Sequence, residues 1–311
     1  MIGNNVLKKI GLLIGVAACG ALVTSCGGGD DAEPTPTPSE TATPTPTPTT
    51  SVDFDLTAGF EATSVNANLV YAYFMPTGGA ETFNDATRLP GNSSITLAFD
   101  PERATFGFPD LSSAAVFDAD DLVTSSATRR VYVDGDRSLT LDVPFGESLR
   151  ATYEIDNQAF TQDTVAGTLR SQRVTVFLNS VTTTADITNT LSYTGTPVVA
   201  GGEPGVTPSD AISSPQVTIT INPGTTDTVT GTIQVFRTVG GTSTLVAQFA
   251  IDVELSAGGQ FSESIEDTAR GLTGIVAGSL AGANREELVL LFTLQNADDG
   301  REFVGSLIAK R

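Results

Sequence analysis

The chain contains no histidine and no tryptophan, and its only cysteines, Cys19 and Cys26, fall within the first 26 of its 311 residues. Everything beyond Cys26 is therefore without a disulfide, a thiolate nucleophile, an imidazole base or a His/Cys metal site. That removes most common hydrolase and metalloenzyme mechanisms. No cofactor is expected, and only carboxylate chemistry remains as an enzymatic route. Cations are scarce too: 16 Lys and Arg stand against 36 Asp and Glu, a formal net charge of −20. Nucleic-acid binding draws most of its affinity from cationic contacts to phosphate, so it is disfavoured. An anionic bilayer surface would repel the chain, so membrane attachment must come from something other than charge. Long amphipathic helical patterns are also lacking. Threonine, valine, glycine and alanine abound, and an all-β protein is expected.

The N-terminus carries the strongest local signal. Lys8 and Lys9 precede an apolar run from Ile10 to Val23. That run is shorter than the ~20 residues needed to span a bilayer as a helix, and it has the layout of a secretory signal. It ends in Leu22, Val23, Thr24, Ser25 and Cys26, which resembles the lipobox of bacterial lipoproteins. The resemblance implies diacylglycerol on the Cys26 thiol, signal cleavage between Ser25 and Cys26, and acylation of the new amine, for instance by palmitate. Several acyl chains at ~0.8 kcal/mol per buried CH₂ make a stable anchor where one would not. Gly27 follows the cysteine, where an inner-membrane lipoprotein often carries aspartate, so the outer membrane is expected.

The expected organisation is a signal peptide over 1–25, a lipidated cysteine and Gly/Pro/Thr-rich disordered stalk over 26–52, and two β-rich regions. The stalk cannot bury enough apolar surface to order itself. Its alternating prolines favour extended polyproline II. The first region, 53–164, contains candidate strands at Ser94–Phe99, Ala104–Phe108, Ala115–Val123 and Leu149–Ile155, and a hairpin turning at Asp134 and Gly135. The second, 165–311, reads as eight strands beginning with Arg173–Leu178 and ending with Phe303–Ala309. Between Leu245 and Leu255 the odd positions are apolar and the even ones include Gln248, Asp252 and Glu254, the period of a strand with one face on a core. An antiparallel meander of eight closes naturally into an up-and-down barrel. A membrane-spanning barrel is opposed by the charge those even positions would present to lipid.

The C-terminus carries a second resemblance. Gly278 to Glu287, the strand Leu288–Leu294, and Val304-Gly305 through Ala309-Lys310-Arg311 resemble the closing motifs of transferrin-binding protein B-like surface lipoproteins. Tyr193 and Gly195, and Gly231 and Ile233, resemble two earlier small-residue strands of the same barrel. Ala283 stands where that family usually has proline. The resemblance implies a β-rich handle domain over 53–164 ahead of an eight-stranded barrel. It also implies a surface-exposed, non-enzymatic binding lipoprotein, delivered by a Slam-type translocator. Such a protein would capture a protein or solute for a TonB-dependent receptor. The competing expectation is a structural or adhesive surface lipoprotein with no uptake role.

Few other residues suggest chemistry. Asp118, Asp120 and Asp121, and Asp134 and Asp136, offer oxygen ligands without the spacing of a calcium loop. Glu263, Glu266 and Asp267 are close enough to contain an acid–base pair, but acids this common pair by chance. Tyr71, Tyr73 and Phe74 form an aromatic cluster that fits either core packing or a partner-binding surface. The loop Gly201–Ser214 is a second candidate contact region. The inward positions Phe249, Ile251, Leu290 and Phe292 are bulky, so a filled barrel is expected.

Overall fold

The computed structural model describes residues 51–311. The signal, Cys26 and most of the stalk lie outside them. Strands dominate the rest. They begin with β1 (Phe60–Val65), β2 (Asn68–Pro76), β3 (Thr82–Arg88), β4 (Asn92–Phe99), β5 (Glu102–Gly107) and β6 (Ala115–Asp118). A single 3-10 turn, Ala119–Asp121, leads to β7 (Leu122–Ser125), β8 (Arg129–Asp134), β9 (Arg137–Asp142), β10 (Ser148–Gln162) and β11 (Val165–Leu178). The remainder is β12 (Leu191–Gly195), β13 (Val198–Gly202), β14 (Ile212–Ser213), β15 (Val217–Asn222), β16 (Thr228–Val239), β17 (Thr242–Glu254), β18 (Gln260–Asp267), β19 (Leu272–Ala281), β20 (Glu287–Gln295) and β21 (Glu302–Lys310).

The first half is a two-sheet sandwich. A four-stranded sheet, β1-β4-β5-β6, lies against a seven-stranded sheet, β3-β2-β11-β10-β9-β8-β7. Alternation sends Ile95, Leu97, Ala104, Phe106 and Phe117 from the small sheet into one core with Tyr132, Leu139, Leu141, Ala151 and Tyr153 from the large one. The β8–β9 turn differs by one residue from the expected placement. Asp134 pairs with Arg137, so Gly135 and Asp136 are central, and of these only Gly135 takes a positive φ, 58°.

The boundary near residue 165 is corrected to the segment after Leu178. β10 and β11 form one long hairpin, paired from Ser148 with Leu178 to Gln162 with Val165. Residue 165 is therefore the foot of its turn and not a division between sheets. Arg173–Leu178 consequently belongs to the sandwich, and the barrel takes its missing strand from β18.

All strands of the second half pair antiparallel. β12 and β13 together form one interrupted strand beside β21, and β14 and β15 form another beside β16. That gives eight strand positions, in which the first meets the last. Between β17 and β18 no backbone ladder forms among the described residues. Side chains bridge this seam: Gln248 N donates to Asp267 Oδ2 at 2.8 Å and Asp252 N to Glu263 Oε2 at 3.3 Å. Inward-pointing acids are a known way to blunt a strand edge.

The barrel is packed solid with apolar side chains. Phe249, Ile251, Leu290 and Phe292 are at most 1% exposed, within one cluster that also takes Tyr193, Ile219, Ile233, Leu272 and Phe303. The Phe249 and Phe292 rings sit 5.0 Å apart. Gln248, Asp252 and Glu254 are exposed on the outside. A wet exterior around a dry interior is the inverse of a membrane-spanning barrel. Among the described residues no helix is long and apolar enough to cross a membrane.

β20 and β21 are buried on both faces. Their even-numbered β20 side chains (Leu288 to Leu294) enter the barrel, whereas Val289 and Leu291, with Val304 and Ile308 of β21, pack on Leu69, Tyr71, Tyr73, Val174 and Val176 of the sandwich. The nearly continuous apolar run of β20 has this cause.

Candidate partner-binding surface

The aromatic cluster lies in mid-strand β2, where alternation splits it. Tyr71 and Tyr73 face the barrel at 9% and 5% exposure, and Phe74, at 7%, faces the other way. Of the two readings offered for these rings, their burial matches core packing and not a partner-binding surface, because β2 is covered on both faces. Phe74 stacks edge-on with Phe160 at 5.9 Å and lies over Gly167.

The two tyrosines help to organise a charged network at the rim of the same contact. Arg170 of β11 grips Glu81 through Nε (2.9 Å) and Nη2 (2.6 Å), and donates to Glu154 at 3.0 Å. Its guanidinium lies 4.6 Å from the Tyr73 ring centre. Gln172 bridges the Tyr71 hydroxyl to Glu154. The Arg170 hydrogen bonds hold the Glu81 carboxyl below its usual range. Burial pushes Tyr73 up to about 12 and raises Tyr71 as well.

Ser209 of the loop between β13 and β14 also lowers the Glu81 carboxyl, which puts that loop beside the network. The loop is pinned to the edge of β3. Phe83 N donates to Thr207 O at 2.7 Å, and Gly205 N to Phe83 O at 2.8 Å. Thr207 is 1% exposed and packs where a side chain at Gly202 would stand, 2.4 Å from its nearest atoms. On the other side, Thr77 N bonds Ala166 O at 3.0 Å, joining the β2–β3 turn to the tip of the β10–β11 hairpin. The turn around Gly78, the hairpin tip at Asp163 and Thr164, and the loop 203–211 are thus tied to one another. Each segment or its flank bears an exposed apolar side chain: Met75, Val165 and Val206.

A groove of about 480 Å³ opens nearby, walled by Ala86, Thr87 and Arg88 of β3 and floored by Gly274 and Ile275 of β19 and Thr293 of β20. Most of the other acids singled out in the sequence have structural partners. Asp121 Oδ2 accepts Asp118 N, and Asp118 pairs with Arg103 at 3.0 Å. Asp134 pairs with Arg137, and Asp136 takes Asn157 Nδ2 at 2.9 Å. Asp267 and Glu263 bridge the barrel seam.

Several solved structures align with this chain. The isotype 1 transferrin binding protein B from serogroup B Neisseria meningitidis aligns with a TM-score of 0.40 and 11% identity, over 75% of this chain and 52% of that one. The N-lobe domain of lactoferrin binding protein B of Moraxella bovis aligns at 0.37 and 10% identity, over 79% of this chain and 100% of that one. A putative outer membrane protein from Bacteroides fragilis aligns at 0.27 and 14%, covering 84% and 100%. The chain spans about half the length of the transferrin binding protein B structures it matches. No protein-family model and no curated protein matches the sequence.

The motif residues behind the C-terminal resemblance have packing roles. Gly305 sits opposite Phe292, and a methyl there would lie 2.3 Å from the ring. Gly278 does the same for Phe261, also at 2.3 Å. Glycine in these strands lets a large neighbour lie flat across the sheet. Arg170, Glu81 and Glu154 had no local signature in the sequence, because Glu81 and Arg170 are 89 residues apart.

Proposed function

We propose that the chain is a lipid-anchored outer-membrane protein, facing the cell exterior, that binds a protein or solute on its outer surface for a TonB-dependent uptake receptor and catalyses no reaction. The observation that carries the binding part is the filled barrel. Eight strands leave room for side chains or one small ligand, and here side chains occupy it, from Phe249 to Phe303. Recognition then falls to exposed turns, where side chains are free to vary. The tied surface of the Gly78 turn, the Asp163 tip and loop 203–211 is the best candidate, since it is rigidly pinned yet presents Met75, Val165 and Val206 to solvent. The lipobox cysteine and the Pro/Thr stalk support display away from the membrane.

The test is capture of host-fluid proteins by the soluble fragment 53–311. Val206→Asp with Val165→Asp should reduce recovery of a captured partner by about tenfold or more, the loss of one or two contact residues. Ile251→Val, a conservative change in the barrel, should leave it unchanged. Equal recovery by all forms would remove this surface from the account. A small apolar molecule co-purifying inside the barrel would overturn the exterior-binding reading itself.

A further inference from the structure

We propose that the junction between sandwich and barrel is a proton-dependent clamp: two barrel glutamates, Glu287 and Glu302, each accept a backbone N–H from the sandwich beside a sandwich carboxylate, so the contact is tight while each glutamate holds its proton and loosens as it ionises. The proposal holds whichever partner the protein takes.

The two sites lie at opposite ends of the β20–β21 ladder, in which Glu287 is opposite Lys310 and Gln295 is opposite Glu302. At one end Glu302 Oε2 accepts Ala86 N at 2.8 Å, beside Asp85. At the other, Glu287 Oε1 accepts Glu147 N at 2.8 Å. Between them runs the apolar contact of Val289, Leu291, Val304 and Ile308 on β2 and β11. That contact holds no carboxylate, and Arg150 of β10 adds a hydrogen bond to it, from Nη2 to Ser306 O at 3.4 Å, so it remains as a hinge while the ends respond.

Glu287 is 1% exposed, and its Oε2 is buried without a hydrogen-bond partner among the described residues, as is Ser148 Oγ. An ionised Oε2 in that position is a buried charge with one neutral side-chain donor beside it, the Ser148 hydroxyl, which offsets part of the cost of burial. A protonated one brings its own O–H. The Glu147 carboxylate is held in place by Asn179 Nδ2 at 2.9 Å. Lys310, across the ladder, favours the ionised form, but its ammonium lies against the Phe145 ring at 5.9 Å and it is the weakest influence on Glu287. Burial is the strongest, and it raises the Glu287 carboxyl above its usual range.

Glu302 is half-buried and faces Asp85 on β3, Gly202 on β13 and Gln295 on β20. The adjacent Arg301 is engaged by Asp299 at 2.7 Å and by Arg270 O. Burial first, opposed by the Ala86 N–H and reinforced by Asp85, pushes Glu302 up to about 7. In both glutamates the folded state holds the proton more firmly than the unfolded chain. Their contribution is therefore fully present below the ordinary glutamate range and is lost as pH rises, for Glu302 through about 7. Glu302 also fixes the groove wall at Ala86, so loosening there changes the groove.

The experiment is hydrogen exchange of the full chain in detergent at about pH 5.5 and about pH 8.5, corrected for the intrinsic effect of pH on exchange. Protection of segment 83–88 should fall by about tenfold across that interval, the factor for one unit of displacement, and that of 145–149 should fall in the same direction as pH rises. Segment 288–294 should not change. In Glu287→Gln/Glu302→Gln, where each amide keeps an acceptor and adds a donor, protection should be the same at both pH values. If the double variant fails to fold, Glu302→Gln alone should flatten the response of 83–88 and leave that of 145–149. A wild-type junction equally protected at both pH values, or Gln variants that keep the wild-type response, would overturn the clamp.

Discussion

Cys26→Ala is expected to abolish incorporation of a palmitate analogue, to block cleavage after Ser25 and to free the folded region from the membrane fraction once cells are lysed. The expectation rests on chemistry that only a thiol supplies at that position. The chain offers no other cysteine beyond Cys19, which sits inside the apolar run. Apart from the uncleaved apolar run Ile10–Val23, which is too short to span a bilayer as a helix, nothing else should hold the protein on a membrane. The folded region is strongly acidic, and the barrel exterior at Gln248, Asp252 and Glu254 is polar. Each lost acyl chain removes ~0.8 kcal/mol per buried CH₂, so partition should change almost completely. Normal labelling of the variant, or unchanged sedimentation with membranes, would contradict the anchor.

Phe292→Ala should lower stability by about 3–5 kcal/mol, the usual cost of emptying a buried aromatic site. Phe292 is 1% exposed, packs on Phe249 at 5.0 Å and covers Gly305, which has no side chain to fill the gap. With β20 fixed on both faces, the surrounding strands have little freedom to collapse into the cavity. Urea unfolding of 53–311 reads the effect as a lower midpoint with an unchanged slope. A loss below about 1 kcal/mol would mean that the ring is not part of a close-packed interior.

The sequence made the barrel readable where one face meets the core and the other meets water. Leu245 to Leu255 alternates without interruption, and it became β17 with Ala247, Phe249 and Ile251 inside. β18 was missed for the opposite reason. It places only Phe261 and Ile265 in the core, among serines and acids, so its residues read as a carboxylate cluster when two of them bridge the seam. The sequence puts Arg173–Leu178 with the barrel because nothing local distinguishes a strand of one sheet from a strand of the next. Its partner, β10, decides the matter through a hairpin turning on Asp163 and Thr164, neither of which is glycine. The same limit applies to Tyr71, Tyr73 and Phe74. An aromatic run looks alike whether it faces a partner protein or another part of its own chain, and here the barrel itself covers the tyrosines. Glu287 and Glu302 gain their character first from burial, under a part of the chain that brings Glu147 and Asp85 beside them from 140 and 217 positions away, and no spacing rule reaches that far.

The central claim is that this all-β body stands outside the cell on a lipid tether. Protease added to intact cells tests it most directly. The account predicts that residues 53–311 are shaved or cut from whole cells while a periplasmic marker stays intact. Full protection of the region until the outer membrane is permeabilised would contradict it.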